Sequence, residues 1–331
     1  MRNDSNVKQL DLRETQIAIK SLKDYFQREL SNTLNLARVS APLFVRPETG
    51  LNDNLTGEQA VHFGYRHYDI RVEVVQSLAK WKRNALREYG FNTYEGIYAD
   101  MNAIRAEEVL DEIHSSYVDQ WDWEKIITKE DRNDEYLKLV VKKIYSVFKR
   151  SEDYINQLYP YVLSKKLPDE IFFIKSQELE DRYPDLSPTE REHAIAKEKK
   201  AVFIQGIGEK LKSGRPHDLR SPDYDDWSLN GDIIFWNPVL EDALELSSMG
   251  IRVDEKTIIE QCEKTGNIDR LDLPYHQDII HRRLPYTVGG GIGQSRLCMF
   301  FLEKKHIGEV QVGVWDDETI QYCKEQGIFL L

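Results

Sequence analysis

The sequence is poor in cysteine, has no long apolar run and carries no excess of positive charge. Its three cysteines, Cys262, Cys298 and Cys323, form no C-x-x-C pair, which argues against a disulfide framework or a cysteine zinc site. No stretch approaches the roughly 18 apolar residues of a transmembrane helix, and the first residues lack the apolar core of a signal peptide, so we expect a cytoplasmic protein. With 45 Lys and Arg against 57 Asp and Glu, the net charge of −12 disfavours non-specific nucleic-acid binding.

Familiar nucleotide and metal motifs are also absent. No Gly-Lys-Ser/Thr completes a P-loop, no G-x-G-x-x-G follows a strand, and no two histidines have His-x-x-His spacing. What is present is a chain of 331 residues, 40% of them hydrophobic, which is enough for a sizeable core. Helical and strand patterns are mixed without a regular βαβ rhythm. They predict an α+β fold with a mostly antiparallel sheet flanked by helices.

Local patterns predict several elements and one domain. The capping box from Asp11 to Glu14 begins an amphipathic helix that runs toward Pro42, where proline stops it. A strand is predicted at Val310 to Trp315, and the charged stretch Lys175 to Lys200 predicts a solvated helical insertion. No linker or repeat divides the chain. We therefore predict one domain over residues 1–331, with an N-terminal segment over about 1–45 and a core over about 46–331.

A glycine run, Gly289 to Gly293, opens directly into an apolar helical pattern. Such a run lets backbone approach a flat or anionic ligand, and the helix start offers N–H groups to an anion. Arg296 on the first turn adds a planar fork suited to phosphate. The alternative is a flexible turn before a core helix.

The segment Val118 to Glu124 reads as a strand. Gln120 and Asp122 then share one face, and Trp121 and Trp123 the other. The polar face could bind the ammonium and carboxylate of a small zwitterion, or it could be a solvent-facing sheet surface.

Acidic residues cluster near the end of the core. Asp232 and Glu245 supply hard oxygen ligands of the kind that Mg²⁺ shared with substrate phosphates requires. The alternative is an ordinary acidic surface, since any acidic protein contains such clusters.

Several long blocks, in the same order over nearly the whole chain, resemble the ammonia-dependent asparagine synthetase (aspartate–ammonia ligase) family. They are Ser77 to Arg83, Tyr117 to Glu124, Pro222 to Ser228, Asn230 to Ile233, Asn237 to Val253 and Gly289 to Leu297. That family resembles the catalytic domain of class II aminoacyl-tRNA synthetases. Here the segment ending near Pro42 is similar to motif 1, Arg105 to Glu107 to motif 2, and Gly289 to Arg296 to motif 3.

The resemblance implies a class II synthetase-like fold and a ligase that forms L-asparagine from L-aspartate, ammonia and ATP. The reaction would pass through a β-aspartyl adenylate and release AMP and pyrophosphate, with Mg²⁺ assisting. A homodimer is expected, because the segment leading to Pro42 is the subunit contact in class II relatives. An aspartyl- or asparaginyl-tRNA synthetase-like enzyme and a non-catalytic paralogue remain alternatives.

The family pattern also implies roles for individual residues. Catalytic roles fall to Asp53, Arg105 and Arg296. The residues expected to bind aspartate are Ser77, Lys82, Gln120, Asp122, Ser247 and Arg252. The residues expected to bind the nucleotide are Arg105, Asp225, Asp232, Glu245, Gly291, Gly293 and Arg296. The expected Mg²⁺ ligands are Asp232, Glu245 and Ser248.

The nitrogen donor can be inferred from the cysteines. Glutamine-dependent amidotransferases need an activated nucleophile, commonly a cysteine at the processed N-terminus. Residue 2 is Arg2 and the first cysteine is Cys262, so free ammonia is the predicted donor. By resemblance, Asp53 would face the side-chain amide and attract ammonium.

Overall fold

The computed structural model of the chain describes residues 9–53 and 58–331, so the first eight residues of the predicted N-terminal segment lie outside the described part. Its helices are α1 (Leu12–Leu34), α2 (Ala79–Glu88), α3 (Asp134–Leu158), α4 (Ser176–Arg182), α5 (Pro188–Lys199), α6 (Thr257–Thr265), α7 (Pro274–Ile280), α8 (Gln294–Phe301) and α9 (Asp317–Glu325). Its strands are β1 (Leu36–Arg38), β2 (Phe44–Val45), β3 (His62–Gly64), β4 (Arg71–Val74), β5 (Gly96–Ile104), β6 (Tyr117–Ile126), β7 (Phe172–Lys175), β8 (Ala201–Gln205), β9 (Asp225–Asn237), β10 (Asp242–Arg252) and β11 (Thr287–Gly293).

Helix α1 begins as the sequence predicts and ends earlier. The Glu14 backbone N–H donates to Asp11 Oδ1 at 2.7 Å, and the Asp11 N–H donates to Glu14 Oε2 at 3.0 Å, which completes the capping box. The helix stops at Leu34 because Asn35 adopts the left-handed conformation, with φ 59°. The prediction that Pro42 ends this helix is therefore wrong, since a short strand already separates the two.

The main sheet is mixed. Its strand order is β1-β5-β6-β11-β10-β9-β8-β7, and a small antiparallel sheet has the order β2-β4-β3. The central pairings from β5 to β8 are antiparallel, whereas β1 pairs parallel with β5 and β7 pairs parallel with β8. The mostly antiparallel sheet expected from the sequence is thus found only in the centre. The edges are parallel because crossovers containing α2, or α4 and α5, return the chain in the same direction.

One face of the main sheet is covered by helices α1, α3 and α8. Aromatic rings link these layers: Phe26 on α1 stacks on Trp121 of β6 at 4.8 Å between centroids, and Phe148 on α3 packs on Phe235 of β9 at 5.1 Å. Phe300 on α8 lies 5.4 Å from Phe235 between centroids. Burial of these rings fixes the sheet against its helices and leaves the other side of the central strands for polar residues.

The charged stretch Lys175 to Lys200 forms α4 and α5, as a helical segment was predicted to do. It is solvated on one side only, because Leu179, Ile195 and Ala196 are buried against strands β8 and β9. The segment is therefore a packed part of the sheet layer rather than a free insertion.

The predicted strand at Val310 to Trp315 does not form. Val310, Gln311 and Trp315 are buried while Val312 and Val314 are exposed, so the three valines do not share one covered face as they would in a strand. No neighbouring strand pairs with it among the described residues, and the segment is an extended loop. Within the described ranges, no helix combines the length and the apolarity that crossing a bilayer requires.

Candidate active site

A cavity of about 350 Å³ opens over strands β6, β11 and β10. It brings together every predicted site residue except Asp53, Lys82 and Asp232. Those that line it are Ser77, Arg105, Gln120, Asp122, Asp225, Glu245, Ser247, Ser248, Arg252, Gly291, Gly293 and Arg296. Residues from widely separated blocks of the sequence therefore meet in one place.

The strand predicted from Val118 to Glu124 supplies the polar floor of this cavity. Gln120 and Asp122 line the cavity, while Trp121 and Trp123 are buried in the core on the other side. This is the period-two arrangement expected for a strand with one apolar face. The strand itself and its two faces are confirmed, and the solvent-facing alternative is excluded for this segment.

The glycine run forms strand β11 rather than a turn. Gly291 pairs with Asp122 of β6 and with Ser248 of β10, in the middle of the sheet. A Cβ atom on Gly291 would lie 2.2 Å from Gln120 Oε1, and one on Gly289 would lie 2.0 Å from Glu124 Oε2. The glycines are required because polar side chains from β6 lie directly over the β11 backbone.

Two guanidinium groups line the cavity. Arg105 follows strand β5, where its backbone N–H donates to the Ser116 carbonyl oxygen at 2.8 Å, and its Nη1 lies 3.4 Å from Glu108 Oε2. Arg296 lies on the first turn of α8 and donates from Nη1 to the Glu245 carbonyl oxygen at 3.1 Å. Both forks keep further N–H groups that can donate to phosphate oxygens.

The start of α8 is less open to a ligand than the sequence suggests. The Ser295 backbone N–H already donates to Asp119 Oδ1 at 3.0 Å. Asp119 Oδ2 in turn accepts from Lys23 Nζ of α1 at 3.0 Å, and Oδ1 from Gln311 Nε2 at 3.3 Å. Asp119 therefore caps α8 and holds the first turn, with Arg296, against β6.

A buried ion-pair network lies at the inner end of the cavity. Arg252 donates from Nη2 to Glu124 Oε2 at 2.8 Å, from Nε to Glu124 Oε1 at 2.9 Å, and from Nη1 to Asp225 Oδ1 at 2.5 Å. Burial raises the pKa of Glu124, but Arg252 and then Lys82 outweigh that effect and hold this pKa below its ordinary value. Glu124 therefore stays ionised and fixes the Arg252 fork.

Lys82 lies beneath the floor rather than on it. Its Nζ forms an ion pair with Asp122 Oδ1 and donates to the Gly290 carbonyl oxygen at 3.1 Å, and its side chain is fully buried. Burial lowers the pKa of Lys82 despite these partners. The sequence does not reveal this position because a lysine on an amphipathic helix is normally expected to reach solvent.

The oxygen cluster expected to hold Mg²⁺ includes one residue that the cavity does not reach. Asp232 on β9 pairs with Ser248 of β10 in the register of the sheet, while its carboxylate forms an ion pair with Arg220. Burial raises the pKa of Asp232 to about 7, with Arg220 opposing and Glu245 adding to the rise. Two carboxylates and a hydroxyl are a donor set that fits a hard cation completed by phosphate oxygens. Among the described residues, no group of three or more His, Cys, Asp or Glu side chains could hold a metal alone.

Asp53 lies in a second cavity of about 360 Å³, beside the first. Gln76 and Glu58 line both cavities. Burial raises the pKa of Asp53, the nearby Lys80 opposes the rise, and Asp223 adds to it. The structure thus separates Asp53 from the other predicted catalytic residues by a shared wall.

The site contains residues that the sequence reasoning missed. Glu124 continues the period-two pattern of Gln120 and Asp122, and that spacing alone could have identified it. Arg220 and Gln76 lie in irregular segments and carry no such periodic signal.

Known proteins resemble this chain over nearly its whole length. A family model for aspartate–ammonia ligase matches residues 13–327. An aspartate–ammonia ligase of Ruminiclostridium cellulolyticum is 61% identical over 324 residues, which are 97% of this chain and 96% of that protein. One of Clostridium tetani is 59% identical over 325 residues, covering 98% of this chain and 95% of that protein.

Solved structures show the same fold at low identity. An asparaginyl-tRNA synthetase of Pyrococcus horikoshii, in complex with asparaginyl-adenylate, matches with a TM-score of 0.66 and 15% identity, over 90% of this chain and 68% of that one. An aspartyl-tRNA synthetase of Entamoeba histolytica matches with a TM-score of 0.62 and 16% identity, over 96% of this chain and 64% of that one. The fold is that of a class II aminoacyl-tRNA synthetase-like catalytic domain.

Within that class, the chain belongs to the aspartate–ammonia ligase family. The family resemblance of the sequence blocks is confirmed, and the chain is a ligase.

Proposed function

We propose that this ligase makes L-asparagine from L-aspartate, ammonia and ATP through a β-aspartyl adenylate. The observation that carries the proposal is that Arg105, Gln120, Glu245 and Arg296 line one cavity. A family member with these groups in one place has the donors needed for a phosphate chain and the polar floor needed for a small amino acid. AMP and pyrophosphate are the expected co-products.

The chemistry requires activation because a carboxylate oxygen is a poor leaving group. In the first step a β-carboxylate oxygen attacks the α-phosphorus of ATP, and the bond from that phosphorus to pyrophosphate breaks. In the second step ammonia attacks the carbonyl carbon, and the bond from that carbon to AMP breaks. Starting from ammonium, one proton leaves before the attack and a second leaves after the C–N bond forms.

The α-amino end of aspartate lies, in this proposal, on the β6 floor. Ser77, Gln120 and Asp122 accept from its ammonium. Arg252 donates to its α-carboxylate, and the Glu124 ion pair keeps the fork oriented. Lys82 supports this site from beneath through Asp122, rather than by the direct contact with the α-carboxylate that the family pattern implies. Ser247 completes the wall from β10.

The nucleotide lies between Arg105 and Arg296 in the same cavity. Arg105 donates to the α-phosphate and the reacting carboxylate, where negative charge develops. Arg296 donates to the outer phosphates, Gly291 and Gly293 allow close approach of the nucleotide, and Asp225 holds Arg252. Glu245, Asp232 and Ser248 would hold Mg²⁺, which supplies neutralising charge to the phosphates when it is bound.

The experiment that tests this function uses purified protein with ATP, MgCl₂, aspartate and ammonium chloride. Asparagine and AMP are expected in equal amounts, with no requirement for glutamine. If ADP formed in place of AMP, the activated intermediate would be an acyl phosphate rather than an adenylate. Charging of tRNA in place of asparagine formation would favour the synthetase alternative.

Pyrophosphate exchange, measured beside asparagine formation, tests whether Asp53 acts in the first or the second step. The Asp53→Asn variant is expected to keep aspartate-dependent exchange of pyrophosphate into ATP and to lose asparagine formation by about 10²-fold or more, the range for removal of a positioned proton acceptor. Equal loss of exchange and asparagine formation would show that Asp53 does not act on the nitrogen.

We further propose a homodimer formed through the segment that leads to Pro42 and the small sheet beside it. An exposed aromatic cluster lies there, formed by Phe44, Phe63, Tyr65 and Tyr68, with 5.3 Å between the centroids of Phe44 and Phe63. Clustered exposed rings of this kind mark interaction surfaces. One catalytic domain per subunit and a cytoplasmic location complete the proposal.

Sedimentation velocity at micromolar concentration tests the dimer. Twice the chain mass of 38.8 kDa is expected for the wild type, and Phe63→Glu is expected to shift the protein toward the monomer because it places a charge in the contact. A wild-type monomer under these conditions would contradict the proposal.

A further inference from the structure

The second cavity has features that the binding of aspartate and ATP does not use. It lies between α2, α7 and the small sheet, and it meets the active-site cavity at Gln76 and Glu58. Its volume of about 360 Å³ is several times that of one water molecule, so it can hold a hydrated ion. The two cavities are therefore neighbours that share part of their lining.

Gln76 is the polar group at the junction of the two cavities. Its side chain is buried, with the residue only 2% exposed, and its Oε1 atom accepts no hydrogen bond from any residue that the structure describes. The backbone around it is fixed, because the Gln76 N–H donates to Asn52 Oδ1 at 2.9 Å. A buried carbonyl oxygen held in place without a donor is costly, which indicates that a ligand or water supplies the donor.

The basic side chains that line this cavity are His62, Arg71, Lys80, Arg270 and His276, and three of them, Lys80, Arg270 and His276, pair with Asp223. Lys80 Nζ donates to Asp223 Oδ2 at 2.6 Å and to the Asn52 carbonyl oxygen at 3.1 Å. His276 Nε2 lies 2.8 Å from the same Asp223 oxygen. Asp223 and the Asn52 carbonyl oxygen thus fix the ammonium group of Lys80. Glu58 and Glu73 add negative charge to the wall of the cavity.

The chemistry at the junction selects for a ligand that only donates hydrogen bonds. A carboxylate has no N–H or O–H to give to Gln76 Oε1 at neutral pH. Inorganic phosphate keeps an O–H group at that pH, but Glu58, which also lines both cavities, would repel either anion. Ammonium has four N–H donors, no acceptor and a positive charge. It is also much smaller than aspartate or ATP.

We propose that the second cavity admits ammonium and that Gln76 Oε1 binds it where this cavity meets the active site. The inference rests on the proposed function and extends it, since it gives the nitrogen substrate its own binding site and path. Gln76 positions ammonium on the Asp53 side of the wall. Aspartate and ATP can then occupy the first cavity before nitrogen arrives.

Steady-state kinetics test the role of Gln76. Gln76→Met keeps the length of the side chain and removes the acceptor oxygen, so KM for ammonium is expected to rise at least tenfold. Gln76→Glu keeps an acceptor and is expected to hold KM for ammonium near the wild-type value. Pyrophosphate exchange is expected to change far less than KM for ammonium in both variants. Gln321→Met, at an exposed site on α9, is the matched control and should match the wild type.

Thallium(I), which is close to ammonium in radius, tests the site without any variant. Crystals of the wild-type protein soaked in thallium acetate are expected to show an anomalous peak within contact distance of Gln76 Oε1. The absence of that peak, or an unchanged KM for ammonium in Gln76→Met, would overturn the inference. The proposed function would stand in either case provided that the wild type still forms asparagine and AMP, so the two failures are distinguishable.

Discussion

Replacement of Arg296 by alanine is expected to lower kcat for aspartate-dependent pyrophosphate exchange by a factor of about 10²–10³, the usual effect of removing one preorganised donor from a site where charge develops. The fork is held by its hydrogen bond to the Glu245 carbonyl oxygen and by α8, which Asp119 caps. It therefore needs no reorganisation when the phosphates arrive. Lysine offers one point charge in place of the fork, so Arg296→Lys should recover only part of the loss.

The control for this measurement is Arg182→Ala. Arg182 forms an exposed ion pair with Glu198 on the outer helices, away from the cavity. Its removal is expected to leave pyrophosphate exchange unchanged. That result would show that the loss of exchange in Arg296→Ala is specific to the position of Arg296. Exchange by Arg296→Ala within a few-fold of the wild type would remove Arg296 from the phosphate site.

Replacement of Glu124 by alanine is expected to reduce the free energy of unfolding by about 3–5 kcal/mol, the range for breaking a buried ion pair from one side. Glu124 is fully buried. Its removal leaves Asp225 as the acidic partner of Arg252, and Lys82 loses one of its two carboxylate neighbours. Urea unfolding followed by tryptophan fluorescence measures the change. KM for aspartate should also rise, because the Arg252 fork loses its support.

An exposed ion pair provides the comparison. Glu209 pairs with Lys264 where both side chains are about half exposed, so Glu209→Ala is expected to change the free energy of unfolding by less than about 1 kcal/mol. If Glu124→Ala proved no more destabilising than Glu209→Ala, the ion pairs of Glu124 would not contribute to the stability of the fold.

The parts of the site that lie on regular elements could be predicted from the sequence. Period-two spacing placed Gln120 and Asp122 together because a strand in a half-buried sheet leaves its side chains little choice of face. The capping box at Asp11 marks a true helix start because it satisfies N–H groups locally. Local chemistry decides these features, so a local pattern is enough.

The parts that depend on distant packing could not be predicted. Lys82 turns inward only because Asp122 and the Gly290 carbonyl oxygen meet it there, and neither lies on its own helix. Asp53 lines the second cavity rather than the first, and Asp232 lines neither because its carboxylate pairs with Arg220. The segment from Val310 to Trp315 is not a strand because, among the residues that the structure describes, no partner strand lies beside it. Each of these outcomes is set by residues far away in the chain.

The bare backbone of β11 limits how substrate choice can be altered. Side chains of β6 occupy the space above Gly289 and Gly291, so neither position can be enlarged without displacing them. A redesign for a longer dicarboxylic acid must therefore change the flanking strands, β6 and β10, and leave the middle strand as it is.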